Sequence, residues 1–463
     1  MTTLTDASLV AAIAVTLLGP LAFRAMTGRF DPFEPYTLFV VAYGVMFVVR
    51  PAAMLASGSL VYAGPARELD VSETFTEMLL IALLGAVAFV IGYSLGLGKK
   101  LAAHWPRPQE ATDTRRLLFL AALLAGIGLA AFLAILASLD GLQTLEAIFR
   151  SGRSLNADIG EAVETYRYGW MSYLFLVPAA MVFLAVALRT RTKLLFVAFA
   201  LLALLVLLRA IPFGDRMALL PFLGGIFVLC YVQRSARPSL VTVTAVAVLA
   251  LFGSALLSDL RGRTDRNEPV GETVVRAASP SRVADSVLKG PDTEMAATLA
   301  AALTVIPERL PHTYGTTIFR DLLVRPIPRP LWSGKPEVPR NELKAVLWPR
   351  EYANGALNPE FSALLYFYWD FDLLGVVVGL VAYGVAARWL YEYFLRHPEH
   401  LSVQVFYALA LWFVVIGLRD SPVDTLMRAA FIVVPLWVLF RLARSSARAQ
   451  GAETMSPRPR AAG

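Results

Sequence analysis

Residues 117–139 read LLFLAALLAGIGLAAFLAILASL, with Arg115 and Arg116 immediately before the run and Asp140 immediately after it. No charged side chain interrupts it. At about 1.5 Å of rise per residue a helix of that length covers ~35 Å, enough to cross ~30 Å of hydrocarbon. Comparable apolar runs bounded by charge recur along the chain. The composition agrees, since the 463 residues are 57% hydrophobic and 17% charged, with a mean hydropathy of +0.60. Water-soluble globular classes are rejected on that ground. A membrane β-barrel would need segments of about ten residues with alternating polarity, which the sequence lacks, and the apolar content excludes disorder. The expected fold class is all-α, a polytopic helical membrane protein.

Outward from that run, the same criterion places about eleven transmembrane helices. They fall near Leu9–Met26, Tyr36–Ser57, Met78–Leu97, Leu117–Leu139, Gly169–Leu188, Leu194–Pro212, Met217–Val232, Leu240–Leu257, Leu373–Phe394, Leu401–Leu418 and Leu426–Leu442. The first has neither a basic segment before it nor a small-residue cleavage site after it, so it reads as a retained span. Four parts follow: a bundle of spans one to eight over 1–257, one large extracytoplasmic loop over 258–360, spans nine to eleven over 361–443, and a disordered tail over 444–463. Lys99 and Lys100 with Arg115 and Arg116, Arg189 with Arg191 and Lys193, Arg234 with Arg237, and Arg441, Arg444 and Arg448 all fall on one side, which their charge marks as cytoplasmic. The N-terminus is then expected outside and the C-terminus in the cytoplasm. The loop's own basic residues, Arg325, Arg340 and Lys344 among them, are nearly balanced by acidic ones and read for the most part as a solvated surface. Within the loop, Met295–Val305 is predicted to be a helix too short to span, lying on the membrane surface.

Motifs exclude several chemistries. His104, His312, His397 and His400 form no HExxH pattern, and with Cys230 as the single cysteine there is no thiolate cluster, so no metal is expected. GxxxxGK[ST], GxGxxG and GxSxG are absent, which leaves nucleotide work, dinucleotide chemistry and a serine nucleophile without support and implies no cofactor. No basic helix with interleaved aromatics points to nucleic acid. Asp370-Phe371-Asp372 has the D-x-D form of metal-dependent sugar transferases, but two residues apart on a helix point about 200° from one another. Asp372 reads instead as the place where the ninth span begins, because Phe361–Phe394 as one straight helix would be ~50 Å long.

Cations at the ends of apolar runs carry more information. Arg50 lies in the second span; Arg209 and Arg216 flank the Gly214-Asp215 turn, and Arg419 stands beside Asp420 on the same expected face. Each reads either as a snorkelling or paired arginine or as part of a cationic pocket at the outer leaflet, where a guanidinium fork suits phosphate oxygens. The strongest local signal is Pro326-Ile-Pro-Arg329-Pro-Leu-Trp332-Ser-Gly-Lys335-Pro336. Its prolines prevent helix and central strand, so Arg329, Trp332 and Lys335 are presented on a stiff extended chain, a rim suited to a phosphosugar. His312-Thr313-Tyr314-Gly315 lies upstream and Asn358-Pro359-Glu360-Phe361 downstream.

These elements resemble the bacterial oligosaccharide repeat unit polymerases, the Wzy-like O-antigen polymerase family. The likeness rests on the proline-arginine-tryptophan-lysine-proline segment, the preceding Tyr314-Gly315, Glu360 opening a helix, and the Gly214-Asp215-Arg216 turn; it covers roughly Ile211 to Leu380. It departs at Phe371-Asp372, where the family often has phenylalanine-glycine. The resemblance implies a glycosyltransferase in the bacterial cytoplasmic (inner) membrane that joins undecaprenyl-pyrophosphate-linked oligosaccharide on the extracytoplasmic side without metal or nucleotide, with membrane lipid and a chain-length regulator as further partners. Arg216, Arg329 and Lys335, with Arg209, would hold pyrophosphate; Glu360 would act at the reacting sugars, with His312 as the next candidate; Tyr314, Trp332 and Arg419 would form the rim. The residues themselves suggest Glu360 as general base, on the expectation that desolvation raises its pKa while Asp215 and Asp420 stay paired with arginine; as a bare helix cap it is equally at home. A ligase-like transferase, a transporter or flippase of lipid-linked sugars, and a noncatalytic assembly partner stay open.

Overall fold

The computed structural model describes residues 2–63, 68–108, 112–138, 171–210, 216–261, 270–288, 290, 293–327, 331–332, 334–353 and 360–444. The expected spans are helical: α1 (Thr2–Met26), α2 (Pro35–Ser57), α3 (Phe75–Ser94), α5 (Thr114–Ser138), α6 (Ser172–Thr190), α7 (Lys193–Ala210), α8 (Arg216–Val232), α9 (Leu240–Arg261), α14 (Ala363–Arg396), α15 (Leu401–Arg419) and α16 (Pro422–Leu442). Eight of the described helices are long and apolar enough to cross a membrane; the apolar parts of α7, α8 and α9 are shorter. A short helix α4 (Leu97–His104), α10 (Val270–Ala277), α11 (Pro280–Leu288), α12 (Met295–Leu303) and α13 (Pro339–Leu347) complete the helices used below, and an antiparallel hairpin pairs β1 (Val61–Ala63) with β2 (Glu68–Asp70).

Contacts between connecting segments sort them to two ends of the bundle. At one, the turn end, the Tyr391 hydroxyl donates to Asp31 at 2.9 Å, Arg237 pairs with Asp31 at 2.9 Å, the Tyr393 hydroxyl donates to the Pro106 carbonyl at 3.0 Å, and the Asp113 amide donates to the Ala443 carbonyl at 2.8 Å. At the other, the loop end, the Thr74 hydroxyl donates to the Ala300 carbonyl at 2.7 Å and Arg325 pairs with Asp424 at 2.8 Å. Two apolar cores fill the bundle, one around α2, α3 and α12 and one around α6, α8 and α15; α14 runs through both, with Trp369, Val376 and Leu380 in the first and Leu390 and Phe394 in the second.

Small residues let α14 lie against α3. A Cβ on Gly92 would stand 2.2 Å from the Val381 carbonyl oxygen, and one on Gly384 would stand 2.4 Å from that of Phe89. Close backbone approach of this kind supplies dispersion contact where no hydrophobic effect drives helices together.

The large loop does not stand apart from the spans. All nine residues of α12 are buried, and all but Thr298 belong to the same apolar core as α3. The surface position expected for Met295–Val305 is therefore wrong. MAATLAAAL carries no polar face for water, so it has nothing to gain at an interface and packs into the bundle instead.

Asp372, expected to begin the ninth span, instead marks a break inside α14, which starts at Ala363. Phe371 (φ −137, ψ 27) and Asp372 (φ 53, ψ −150) are non-helical inside α14. Phe367 meets the Cβ positions of Gly375 and Gly379, although eight and twelve residues of straight helix would separate them by about 12 and 18 Å. Residues 363–370 therefore fold back along the rest of α14. Leu364 and Leu380 both flank Gly85, so this arm starts level with the middle of α3 and runs toward the loop end.

Candidate functional site

The loop-end start of α16 organises a buried polar cluster. Ser421 caps it, its hydroxyl accepting from the Asp424 amide at 3.0 Å, and Pro422 occupies the first turn, where its missing N–H costs nothing. Asp424 is thereby fixed facing Arg325. That guanidinium is buried and fully engaged, with Nη1 on Asp424 at 2.8 Å and Nη2 and Nε on Asp321 at 2.6 and 3.1 Å. Next to it, Arg340 on α13 donates through Nη1 to Glu360 at 3.0 Å, while its Nε is buried with no hydrogen-bond partner among the described residues. Asp420, between α15 and α16, is buried; it accepts from the Ser421 amide at 3.0 Å and stands 3.6 Å from Arg428. Arg419 and Lys344 add their fields at Glu360, and the buried Tyr366 ring lies within reach of Arg340, Glu360, Asp420 and Asp424.

Charges decide what the cluster can hold. Among the described residues, five cations (Arg325, Arg340, Lys344, Arg419, Arg428) and four carboxylates (Asp321, Glu360, Asp420, Asp424) gather here. Burial raises the Glu360 carboxyl, but Arg340 and Arg419 outweigh it and hold Glu360 below the usual carboxylate range. For Asp420, burial comes first, then Asp424 and Glu360; together they push its carboxyl up to about 7 against Arg428 and Arg340. Both pKa expectations from sequence are thus reversed: Glu360 is the firmly ionised partner of an arginine and Asp420 the group poised to take a proton. A proton on Asp420 removes one negative charge from the cluster.

The remaining expected residues scatter. His312 sits at the far end of the arm from Glu360, its Nδ1 at 3.1 Å from the Tyr368 carbonyl and 3.3 Å from that of Trp369. The Thr313 and Tyr314 amides donate to the Trp369 and Asp370 carbonyls at 3.1 and 2.9 Å, so this segment closes the open end of a half-helix. Tyr314 is 78% exposed, with φ 48. Buried Asp370 accepts from the Thr313 hydroxyl and from the Thr317 amide, whereas Asp372 is exposed, so the two carboxylates of the D-x-D do not face one site. Lys335 ties the proline-rich segment back, donating to the Arg325 and Ile327 carbonyls at 3.1 and 2.8 Å; Trp332 is exposed. Arg50 is buried within α2. Arg329 and Asp215 lie outside the described residues, as do the side chains of Arg209 and Arg216. Of the expected set, Glu360 and Arg419 are brought together.

Arg325, Arg340, Asp321, Asp420 and Asp424 are what sequence reasoning missed. The Ser421-Pro422 cap with Asp424 in the first turn was a readable sign of a fixed carboxylate. One group with metal-ligand chemistry gathers among the described residues: His397, Glu399 and His400, whose ligand atoms lie within 4.8 Å of one another at the turn end. The fields of Arg107 and Arg396 bear on it and oppose a dication. Compared with protein-family models, curated proteins and solved structures, the chain matches none.

Proposed function

We propose that this protein is a metal-independent glycosyltransferase that polymerises undecaprenyl-pyrophosphate-linked oligosaccharide repeat units into a surface polysaccharide. The observation that carries the reading is the buried Arg340 Nε, which has no hydrogen-bond partner among the described residues, in a cluster rich in arginine that also holds Asp420, whose carboxyl is pushed up to about 7. A pyrophosphate would accept from the unspent donor; the acceptor sugar hydroxyl would give its proton to Asp420 as its oxygen bonds the anomeric carbon, while the bond from that carbon to the undecaprenyl pyrophosphate breaks and the departing pyrophosphate's charge faces Arg340. Glu360 then acts as the positioning residue that aims Arg340. The apolar bundle around the cluster suits a substrate that arrives from the bilayer on a polyprenyl tail.

The lipid-linked glycan pool of a deletion strain tests this directly. Accumulation of single repeat units, relieved by the wild-type gene, is the expected outcome; a pool of long undecaprenyl-linked polymer would point to a ligase-like transferase instead. The interrupted α14 favours one second reading, a flippase of lipid-linked sugars, because broken helices line transport sites in membrane carriers. Purified protein in liposomes distinguishes them: a polymerase lengthens the glycan, and a flippase relocates it with its length unchanged.

A further inference from the structure

At the turn end, opposite the cluster, a cavity of about 390 Å³ opens where α4, the segment after it, and the end of α14 converge. Among the described residues, Trp105, Arg107, Arg396, His397 and His400 line it, while the exposed Glu399 carboxylate pairs with His400 at 3.0 Å. Arginine stays charged at any accessible pH, so two permanent positive charges face this space. Its walls are braced. The Trp105 and Trp389 rings meet edge-on at 5.0 Å, the Tyr393 hydroxyl donates to the Pro106 carbonyl at 3.0 Å, and the Tyr393 ring meets the His397 ring at 5.2 Å. The turn bearing His397 and His400 is held from behind, because Arg189 donates to the Glu399 carbonyl at 2.6 Å and Gln404 to the Pro398 carbonyl at 2.6 Å. Pre-formed walls lower the ordering cost of whatever binds.

An apolar track leads to this cavity. Leu97, Leu101 and Trp105 are spaced four apart along α4 and its C-terminal flank, on one face, and are 45%, 53% and 52% exposed; Leu395, next to Arg396, is 43% exposed. A cationic hollow joined to an exposed apolar stripe at the end of a membrane bundle matches a molecule with an anionic head and acyl tails. We propose that this cavity is a binding site for the phosphate headgroup of an anionic phospholipid, with Arg107 and Arg396 on the phosphate and the acyl chains along Leu97, Leu101 and Trp105. A free phosphate would use the arginines but leave the leucine stripe unexplained. The site is independent of the polymerase reading and lies at the opposite end of α14.

The test uses the full chain, delipidated in a zwitterionic detergent, with binding followed by native mass spectrometry and thermal unfolding against phosphatidylglycerol, phosphatidylcholine and inorganic phosphate. Expected is retention of phosphatidylglycerol at least about tenfold tighter than phosphatidylcholine, lost in Arg107→Ala/Arg396→Ala and kept in the charge-matched control Arg115→Ala/Arg116→Ala. Leu101→Ser weakens the lipid and leaves any phosphate effect untouched. Equal retention of the two lipids, unchanged retention in the double alanine variant, or stabilisation by inorganic phosphate equal to that by lipid would each overturn the proposal. If the double variant does not fold, Arg107→Gln alone carries the comparison, with at least a threefold loss expected and no loss counting against it.

Discussion

Asp420 is buried at the loop end, and its ionisation is set by neighbours that single substitutions can remove. If it takes the acceptor proton, polymerisation should rise with pH through about 7 as the carboxylate appears. Asp420→Asn should lower the rate by about 100-fold or more and flatten that profile; a variant that keeps the rise near pH 7 would show the base to be another group. The same shift makes a separate statement about stability. A carboxyl raised in the folded state favours folding at a pH below its unfolded value of about 3.9, and that contribution is lost as pH climbs toward 7, so thermal unfolding of Asp420→Asn should depend less on pH across this window than the wild type. Glu360 behaves oppositely, its stabilisation present above the ordinary glutamate range and lost on acidification, because Arg340 and Arg419 favour its charge. Arg340→Lys keeps the charge but not the fork, and should cost about tenfold or more in rate with near-normal expression. Wild-type polymer from it would mean that charge alone suffices. None of these partnerships was legible in sequence, since Arg325 finds Asp424 across 99 positions and Arg340 finds Glu360 across 20; local pattern carries no information on such pairing.

Elements are where the sequence spoke most plainly. Long apolar runs between charges mark helices because hydrocarbon and backbone hydrogen bonding together leave a spanning chain few alternatives. Of the eleven expected spans, eight lie on described helices long and apolar enough to cross a membrane, with limits as close as Leu401–Leu418 against α15 and as far apart as a start at Leu373 against Ala363 in α14. The excess length of its apolar run singled out Asp372, though as the start of a span and not as a break inside α14. The direction of that break was not legible, because folding back depends on Gly375 and Gly379 receiving Phe367, a contact no helical period encodes. Asp372 holds a left-handed φ of 53 where glycine would sit without strain. Asp372→Gly should therefore be neutral to stabilising in thermal unfolding, and Asp372→Val, branched at Cβ, should destabilise by about 1–3 kcal/mol. The α3 to α14 seam makes a sterner demand. Gly92→Leu drives a side chain into the Val381 backbone and should reduce folded yield, whereas Gly253→Leu, with open space around it, should leave yield unchanged.

For the whole molecule, the distribution of basic residues predicts that residues 258–360 face away from the cytoplasm. After Cys230 is replaced by Ser, an impermeant thiol reagent applied to intact cells should label a cysteine at Ser279 and not one at Ser446. The reverse pattern would place the cluster on the wrong side for extracytoplasmic chemistry. Hydropathy also set 258–360 apart as a loop, since its one apolar helix is too short to span and was placed on the membrane surface. That helix, α12, is buried throughout and shares a core with α3. The consequence concerns inheritance as much as architecture. A region rooted inside the bundle cannot be traded between relatives as a cassette, for a donor's loop would bring a plug cut for another socket. Functional chimeras should demand that α12 travel with the helices lining its berth, so natural recombination is expected to break this chain within α5–α9 and to leave the unit of α2, α3, α12 and α14 whole.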